Sequence, residues 1–346
     1  MSPLIWTLLL TSLTASTTIT MASNHWLLAW LSLELNTLSI LPIMMKHHHP
    51  RATEATTKYF LIQTTAAASI LFASTINAWQ TGHWTIINTN STSATALTTI
   101  AIALKLGLAP THLWYPEILQ GMPMHIAMLI STWQKLAPLS LLYMMHSNLP
   151  TNVLLALGLL STITGGWTGL NQTQTRKIMA FSSIAHMGWL LTALTMSQNL
   201  ATLTMIMYVI MTLAMFITLA ATTTKTAHDT GTAWTTSTAL TTTMMITLMS
   251  LGGLPPLTGF MPKWLIIKDL ATTNLLPLGI AMLMASLPSL FFYTRLAYLT
   301  VLTIPPTTTN MKLKWRLTTP TLPTTMTMIT TACITLPLTA ALYTTT

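Results

Sequence analysis

One carboxylate, three lysines and a histidine lie deep inside apolar runs of this 346-residue sequence: Glu34 in WLSLELNTL, Lys105 in IALKLGLAP, Lys135 in STWQKLAPL, His186 in SSIAHMGWL and Lys263 in GFMPKWLII. At the centre of a bilayer each such group costs a few kcal/mol on the insertion scale. Low dielectric favours the neutral form of a lysine, and a nearby carboxylate opposes that. A lysine whose partner can move away is therefore a switchable proton carrier. A purely structural reading stands beside this one. Glu34 could neutralise Lys105 or Lys135 in a fixed pair, and His186 could be a core histidine satisfied by a carbonyl. Five such groups together favour chemistry, because apolar side chains would hold the same helices without the penalty.

The elements that must position them are transmembrane helices. Charged residues make up 5% of the chain, against roughly 25% in an ordinary globular protein, and so few cannot build a water-soluble surface. Much of the remainder is Thr, whose hydroxyl can bond back to a carbonyl one turn earlier on a lipid-facing helix. No ten-residue alternating pattern of a barrel appears, so the expected class is an all-α polytopic membrane protein. Spans of roughly 20 apolar residues fall at 3–23, 26–45, 57–79, 95–117, 123–145, 151–170, 178–196, 199–223, 235–270, 274–301 and 321–343, eleven in all. Lys105 and Lys135 lie at similar depth, each about 18 Å of straight helix from the outer side, across the tight turn at 118–122. Glu34, Lys263 and His186 come out roughly 12–15 Å from the outer side. All five share a belt near mid-membrane.

Charge tests this division independently. Nine basic residues fall at the even-numbered loops (Lys46, Arg51, Lys58, Arg176, Lys177, Lys225, Lys312, Lys314 and Arg316), and Lys268 alone at the odd ones. The positive-inside rule puts the N-terminus and even loops on the inner side and the C-terminus on the outer side. MSPLIWTLLLTSLTASTTITMAS lacks the basic start of a signal peptide and the arginines of a transit peptide, so it reads as the first span, with no cleavable address. A net charge of +9 spread one to three residues at a time between oily segments is not a nucleic-acid surface. Cys333 is the single cysteine, which excludes an intramolecular disulfide and a thiolate cluster.

Two spans carry helix breakers. Gly107 and Pro110 interrupt the fourth, and SLGGLPPLTGFMPKW interrupts the ninth, whose 36 residues would run about 54 Å as one helix. Grouped as helices 1–5 and 6–10, residues 3–145 and 151–301, the interrupted span is the fourth of each group. The odd helix number makes the second group an inverted repeat of the first, with 321–343 as an added C-terminal helix. In that scheme Lys105 matches Lys263 and Glu34 matches His186. Two independently kinked helices are the plainer alternative. Among other candidates, His47, His48 and His49 before Pro50 form an exposed basic turn rather than a metal site, Glu117 and Asp269 sit near outer-side span ends, and Arg295 snorkels to an interface. His112 and His125 lack a facing partner and a CxxCH, which excludes haem ligation.

The stretches ALKLGLAPTHLWYPEILQG, QTRKIMAFSSIAHMGW and LGGLPPLTGFMPKW resemble the antiporter-like subunits of proton-pumping NADH:quinone oxidoreductase, respiratory complex I. The likeness covers essentially the whole chain, and a Thr- and Met-rich composition with three valines is similar to mitochondrially encoded members. Bacterial relatives have fourteen helices, so eleven implies loss of the first three. The resemblance implies a hydrated proton path along the midplane. In it Glu34 and Lys105 form an ion pair whose separation lets Lys105 release its proton, Lys135 connects, His186 relays, Lys263 is the terminal carrier and His112 assists proton uptake or relay. It also implies location in the mitochondrial inner membrane, N-terminus to the matrix and C-terminus to the intermembrane space, among other membrane and accessory subunits of the complex, including neighbouring antiporter-like subunits. No cofactor is expected in this chain; NADH, FMN, Fe–S clusters and ubiquinone belong to other subunits. A stand-alone cation/proton antiporter shares the broken helices and lysines but needs a carboxylate-rich ion site. A scaffold would tolerate neutralisation of the whole belt.

Overall fold

Thr side chains in this chain close hydrogen bonds on their own helices, which is how so polar a composition tolerates lipid. On the first helix the exposed Thr7, Thr11 and Thr18 donate to the carbonyls of Leu4, Leu8 and Ala15 at 2.8–3.0 Å. The computed structural model describes residues 3–45, 49–89, 91–235, 237–301 and 332. Its helices are α1 Pro3–Ala22, α2 Trp26–Met44, α3 Pro50–Thr81, α4 Thr92–Leu106, α5 Trp114–Gly121, α6 Met124–Ser131, α7 Leu136–Met144, α8 Thr151–Gly169, α9 Thr175–Met196, α10 Gln198–Ala221, α11 Ala227–Thr232, α12 Thr238–Gly252, α13 Phe260–Thr272 and α14 Leu276–Val301. Six of them, α1, α2, α3, α9, α10 and α14, are long and apolar enough to cross a membrane unbroken. Among the described residues the only strand-like pairing is two isolated bridges, so the all-α class stands.

The chain divides into two compact units, Met1–Leu157 and Gly158–Thr346. In the first, α3 packs on α2, α4 and α5, while α1 lies against α2 and α7. In the second, α9 packs on α10 and α13, and α14 on α12. The α8–α9 contact is close because it is made by small residues: a Cβ on Gly165 would stand 2.7 Å from the Ala185 backbone nitrogen, and one on Gly188 would strike Ser161. α9 is the most enclosed of the six long helices, which seats His186 in the interior of its unit.

Caps fix where several helices begin. His25 and His49 cap α2 and α3, each Nδ1 accepting from a backbone N–H two residues on at 3.2 Å. His49 is thus a helix cap, while His47 and His48 lie outside the described residues. Between α10 and α12, Thr226 and Asp229 form a reciprocal capping box on α11. This short helix latches back through Ala227 N–H to the Thr173 carbonyl at 2.7 Å and Thr175 N–H to the Lys225 carbonyl at 3.2 Å. Burial pushes the Asp229 carboxyl up, but hydrogen bonds from Thr226 and from the Lys225 N–H outweigh it and hold the group below its ordinary range.

Every expected span from the first to the tenth has a helix or a helix pair at its place, and 321–343 lies outside the described residues apart from Ala332. Three expectations change. The fifth span is interrupted: α6 ends at Ser131, Trp133–Lys135 form a 3-10 turn, and α7 begins at Leu136. Pro138 supplies no N–H to the Gln134 carbonyl and its ring clashes there, which breaks the ladder at Lys135. Glu117 is not at an outer-side end. It lies 2.8 Å from Lys58, near the start of α3, on the side that carries Arg51 and, by the charge rule, faces inward. Arg295 does not snorkel; its Nη1 and Nη2 donate to the Leu170 and Gln172 carbonyls at 2.7 and 2.5 Å, past the C-terminus of α8.

Candidate functional site

Both broken spans stop their first half by the same device. Gly107 after α4 has φ 70° and ψ 41°, and Gly253 after α12 has φ 81° and ψ 46°. Only glycine enters this left-handed region without strain. In each case the next two N–H groups turn back: Gly107 to Leu104 and Leu108 to Ala103, Gly253 to Ser250 and Leu254 to Met249. This Schellman closure satisfies two of the last carbonyls and leaves others for side chains. A Leu-x-Pro follows each glycine, and Pro110 and Pro256 stand three residues beyond it.

In the first unit, Lys105 sits in the last turn of α4, 6% exposed, and Lys135 at the end of the 3-10 turn, 3% exposed. Both border a void of about 20 Å³, room for one water molecule. Asn36, Gln63 and Gln134 also line it. Gln63 donates to the Lys105 carbonyl at 3.5 Å. Asn36 on α2 and Gln134 on the turn exchange two hydrogen bonds, Nδ2 to Oε1 at 2.9 Å and Nε2 to Oδ1 at 3.2 Å. The Lys135 Nζ stands 5.0 Å from the centre of the Tyr115 ring, in cation–π range.

Glu34 is half-buried on α2, and Thr37 donates to its Oε2 at 2.9 Å. No ion pair joins it directly to Lys105 among the described residues, although its charge reaches that lysine. The contact pair implied by resemblance is open here. His112 is 7% exposed in the segment between α4 and α5, and its Nδ1 is buried with no hydrogen-bond partner.

The second unit is built differently. Lys263 lies in the first turn of α13, after the break, and reaches back so that Nζ donates to the Gly252 carbonyl at 3.0 Å. Counted from the two glycines, Lys105 corresponds to Leu251 and Lys263 to Glu117. The two lysines are therefore not at matching positions of the local motif, yet both sit at the C-terminal end of a first half-helix. There the helix dipole presents negative partial charge to a cation. His186 and Lys263 border two voids of about 10 and 20 Å³. The His186 Nε2 lies 3.4 Å from the Tyr293 hydroxyl, and its ring 5.9 Å from that of Tyr208. Gly259 lets the chain pass: a Cβ there would collide with the Ser250 carbonyl.

Sequence reasoning missed Asn36, Gln63 and Gln134 in the first unit and Tyr208 and Tyr293 in the second. They carry no charge, so the cost of burial did not flag them. The available signal was a neutral amide close in sequence to a buried charge, Asn36 two residues after Glu34 and Gln134 just before Lys135.

Interrupted membrane helices that offer lysines to small internal voids define a polytopic protein of the transport class. The chain belongs to the family described as NADH:quinone oxidoreductase/Mrp antiporter, transmembrane, whose model matches residues 23–290, and residues 290–343 match NADH dehydrogenase subunit 2 C-terminus. It is 48% identical over 345 residues to NADH-ubiquinone oxidoreductase chain 2 of Sylvisorex ollula, covering 99% of each chain. It is 51% identical over 316 residues to the protein of that name from Formosania lacustris, covering 91% of each. Among solved structures, respiratory complex I from Thermus thermophilus contains a chain superposing with a TM-score of 0.82 at 24% identity, over 97% of this chain and 77% of that one. The Mrp complex from Dietzia sp. gives 0.78 at 17% identity, over 84% of this chain and 59% of that one. At these identities the two structures speak for the fold.

Proposed function

We propose that this chain is a membrane subunit of a proton-pumping NADH:ubiquinone oxidoreductase and that Glu34, Lys105, Lys135, His186 and Lys263 carry its protons, with His112 assisting at the first break. The supporting observation is the placement of buried lysines at water-sized voids beside the ends of broken helices. An amine held there binds a proton against the helix dipole and the Glu34 charge, and releases it when either contact changes. Lys105 then loads and unloads within the first unit, Lys135 takes the proton within the same void, and His186 and Lys263 repeat the exchange in the second unit. Electron transfer from NADH to ubiquinone, with its FMN and Fe–S clusters, belongs to other subunits. The membrane is the mitochondrial inner membrane, N-terminus on the matrix side and C-terminus on the intermembrane-space side, which the distribution of Lys and Arg supports. The neighbours are other membrane and accessory subunits of the complex.

A stand-alone cation/proton antiporter fits less well. Its ion needs oxygen ligands, and both sites direct lysines into the space it would occupy. The test is NADH-driven proton uptake by the reconstituted complex carrying Lys105→Met or Glu34→Gln, with assembly measured alongside. Uptake should fall by at least about tenfold for Lys105→Met, a floor beneath the roughly 10²–10⁴-fold that a positioned proton-transfer group contributes. Full uptake in an assembled variant would refute the reading, and robust sodium–proton exchange by the purified chain in liposomes would favour the antiporter.

A further inference from the structure

We infer that the Asn36–Gln134 amide pair is the positioning element that fixes Lys135 relative to Lys105; this rests on the proton-carrier reading above. The backbone that bears Lys135 is held less firmly than an unbroken helix would hold it. The ladder is interrupted at Thr132, the 3-10 turn Trp133–Lys135 holds by weaker i to i+3 bonds, and Pro138 withholds the N–H that Gln134 would otherwise receive. The side chain of Gln134 ties the turn laterally, bonded twice to Asn36 across 98 residues of sequence.

Asn36 lies two residues after Glu34 on α2, and Gln134 immediately precedes Lys135, so the pair couples the acidic helix to the lysine turn. Both amides face the void that Lys105 and Lys135 share. An amide does not carry a proton at physiological pH, so its part is geometric. Two reciprocal bonds fix distance and orientation together, which one bond would not. The Tyr115 ring near the Lys135 ammonium also depends on the turn staying where it is.

The test uses the whole complex with Asn36→Leu/Gln134→Met, which replaces both amides by apolar groups of similar shape. Because no buried amide is left unpaired, folding should be nearly unaffected. The initial rate of NADH-driven proton uptake should fall by about tenfold, as expected for a displaced transfer partner. The alkaline limb of the pump rate against pH should move by at least about half a unit, because Lys135 meets Tyr115, Lys105 and Glu34 at new distances. The exchange Asn36→Gln/Gln134→Asn keeps the summed length of the pair and should restore both. Wild-type uptake and an unmoved pH profile in the apolar double variant, in a preparation where Lys135→Met abolishes uptake, would overturn the positioning role alone. Wild-type uptake by Lys135→Met would overturn the proton-carrier reading and this inference with it.

Discussion

Residues 103–108 and 249–254 turn the backbone in the same way, yet the two units bring a lysine to that turn from opposite directions. In the first, Lys105 belongs to the half-helix that ends, and an amide from α3 takes its carbonyl. In the second, Lys263 belongs to the half-helix that begins, and its own ammonium takes the Gly252 carbonyl. The first lysine feels a carboxylate, Glu34, whereas the groups around the second void are His186 and Tyr293. What the chain preserves is the placement of an amine at the negative end of a helix, rather than its sequence position. The first amine has a carboxylate in its unit's belt; the second has a backbone carbonyl on its nitrogen and a histidine beside the same voids.

Glycine substitutions should show how far the shared turn matters in each unit. Gly259→Ala should have the largest effect, loss of assembled complex on native gels, because its Cβ would overlap the Ser250 carbonyl. Gly253→Ala should come next. It adds left-handed strain of about 1–2 kcal/mol and displaces Lys263 Nζ, which lies 2.9 Å from the new Cβ position. Gly82→Ala is the control, with the same left-handed backbone and nothing within 4 Å. Thermal inactivation of the complex should shift least for Gly82→Ala, and of the two left-handed glycines only Gly253→Ala should also lower proton uptake. Equal losses at both glycines would mean that the turn, and not the lysine it presents, is what counts.

The counter-charge difference has its own tests. Glu34→Gln should slow proton uptake more than Tyr293→Phe, for which about a threefold fall is expected, the worth of one modest hydrogen bond. The reverse order would place the dominant modulating group in the second unit. The smallest effect is outside the membrane. The folded-state value of Asp229 is depressed, so its capping box contributes stability above the unfolded carboxylate range and loses it as pH falls through the folded value. Amide exchange at residues 173–175 and 224–227 should accelerate on acidification in the wild type. In Asp229→Asn it should already be fast at neutral pH and change little.

Much of this arrangement could be read from residue types. Gly107 and Gly253 with their following prolines announced breaks, since few other residues permit that backbone, and Lys105 was visible because charge in an apolar run is costly. The break at Lys135 was not legible from residue type, because Pro138 has no glycine beside it and lone prolines also sit inside unbroken helices here, Pro42 in α2 and Pro288 in α14. The direction of Lys263 was beyond reach, because its side chain spans the interruption to bond a carbonyl eleven residues earlier. Arg295 was misread for a related reason: it is paired with orphan carbonyls beyond α8, which tertiary packing alone could bring to it.

The central claim is that the buried amines exchange protons rather than merely hold charge, and Lys105→Arg tests it most directly. Guanidinium keeps the positive charge beside Gly107 but does not give up its proton in a protein. In the reconstituted complex, with assembly equal to the wild type, the account expects NADH-driven proton uptake to fall by at least about tenfold. Undiminished uptake would contradict it, because a fixed cation would then do everything that Lys105 does.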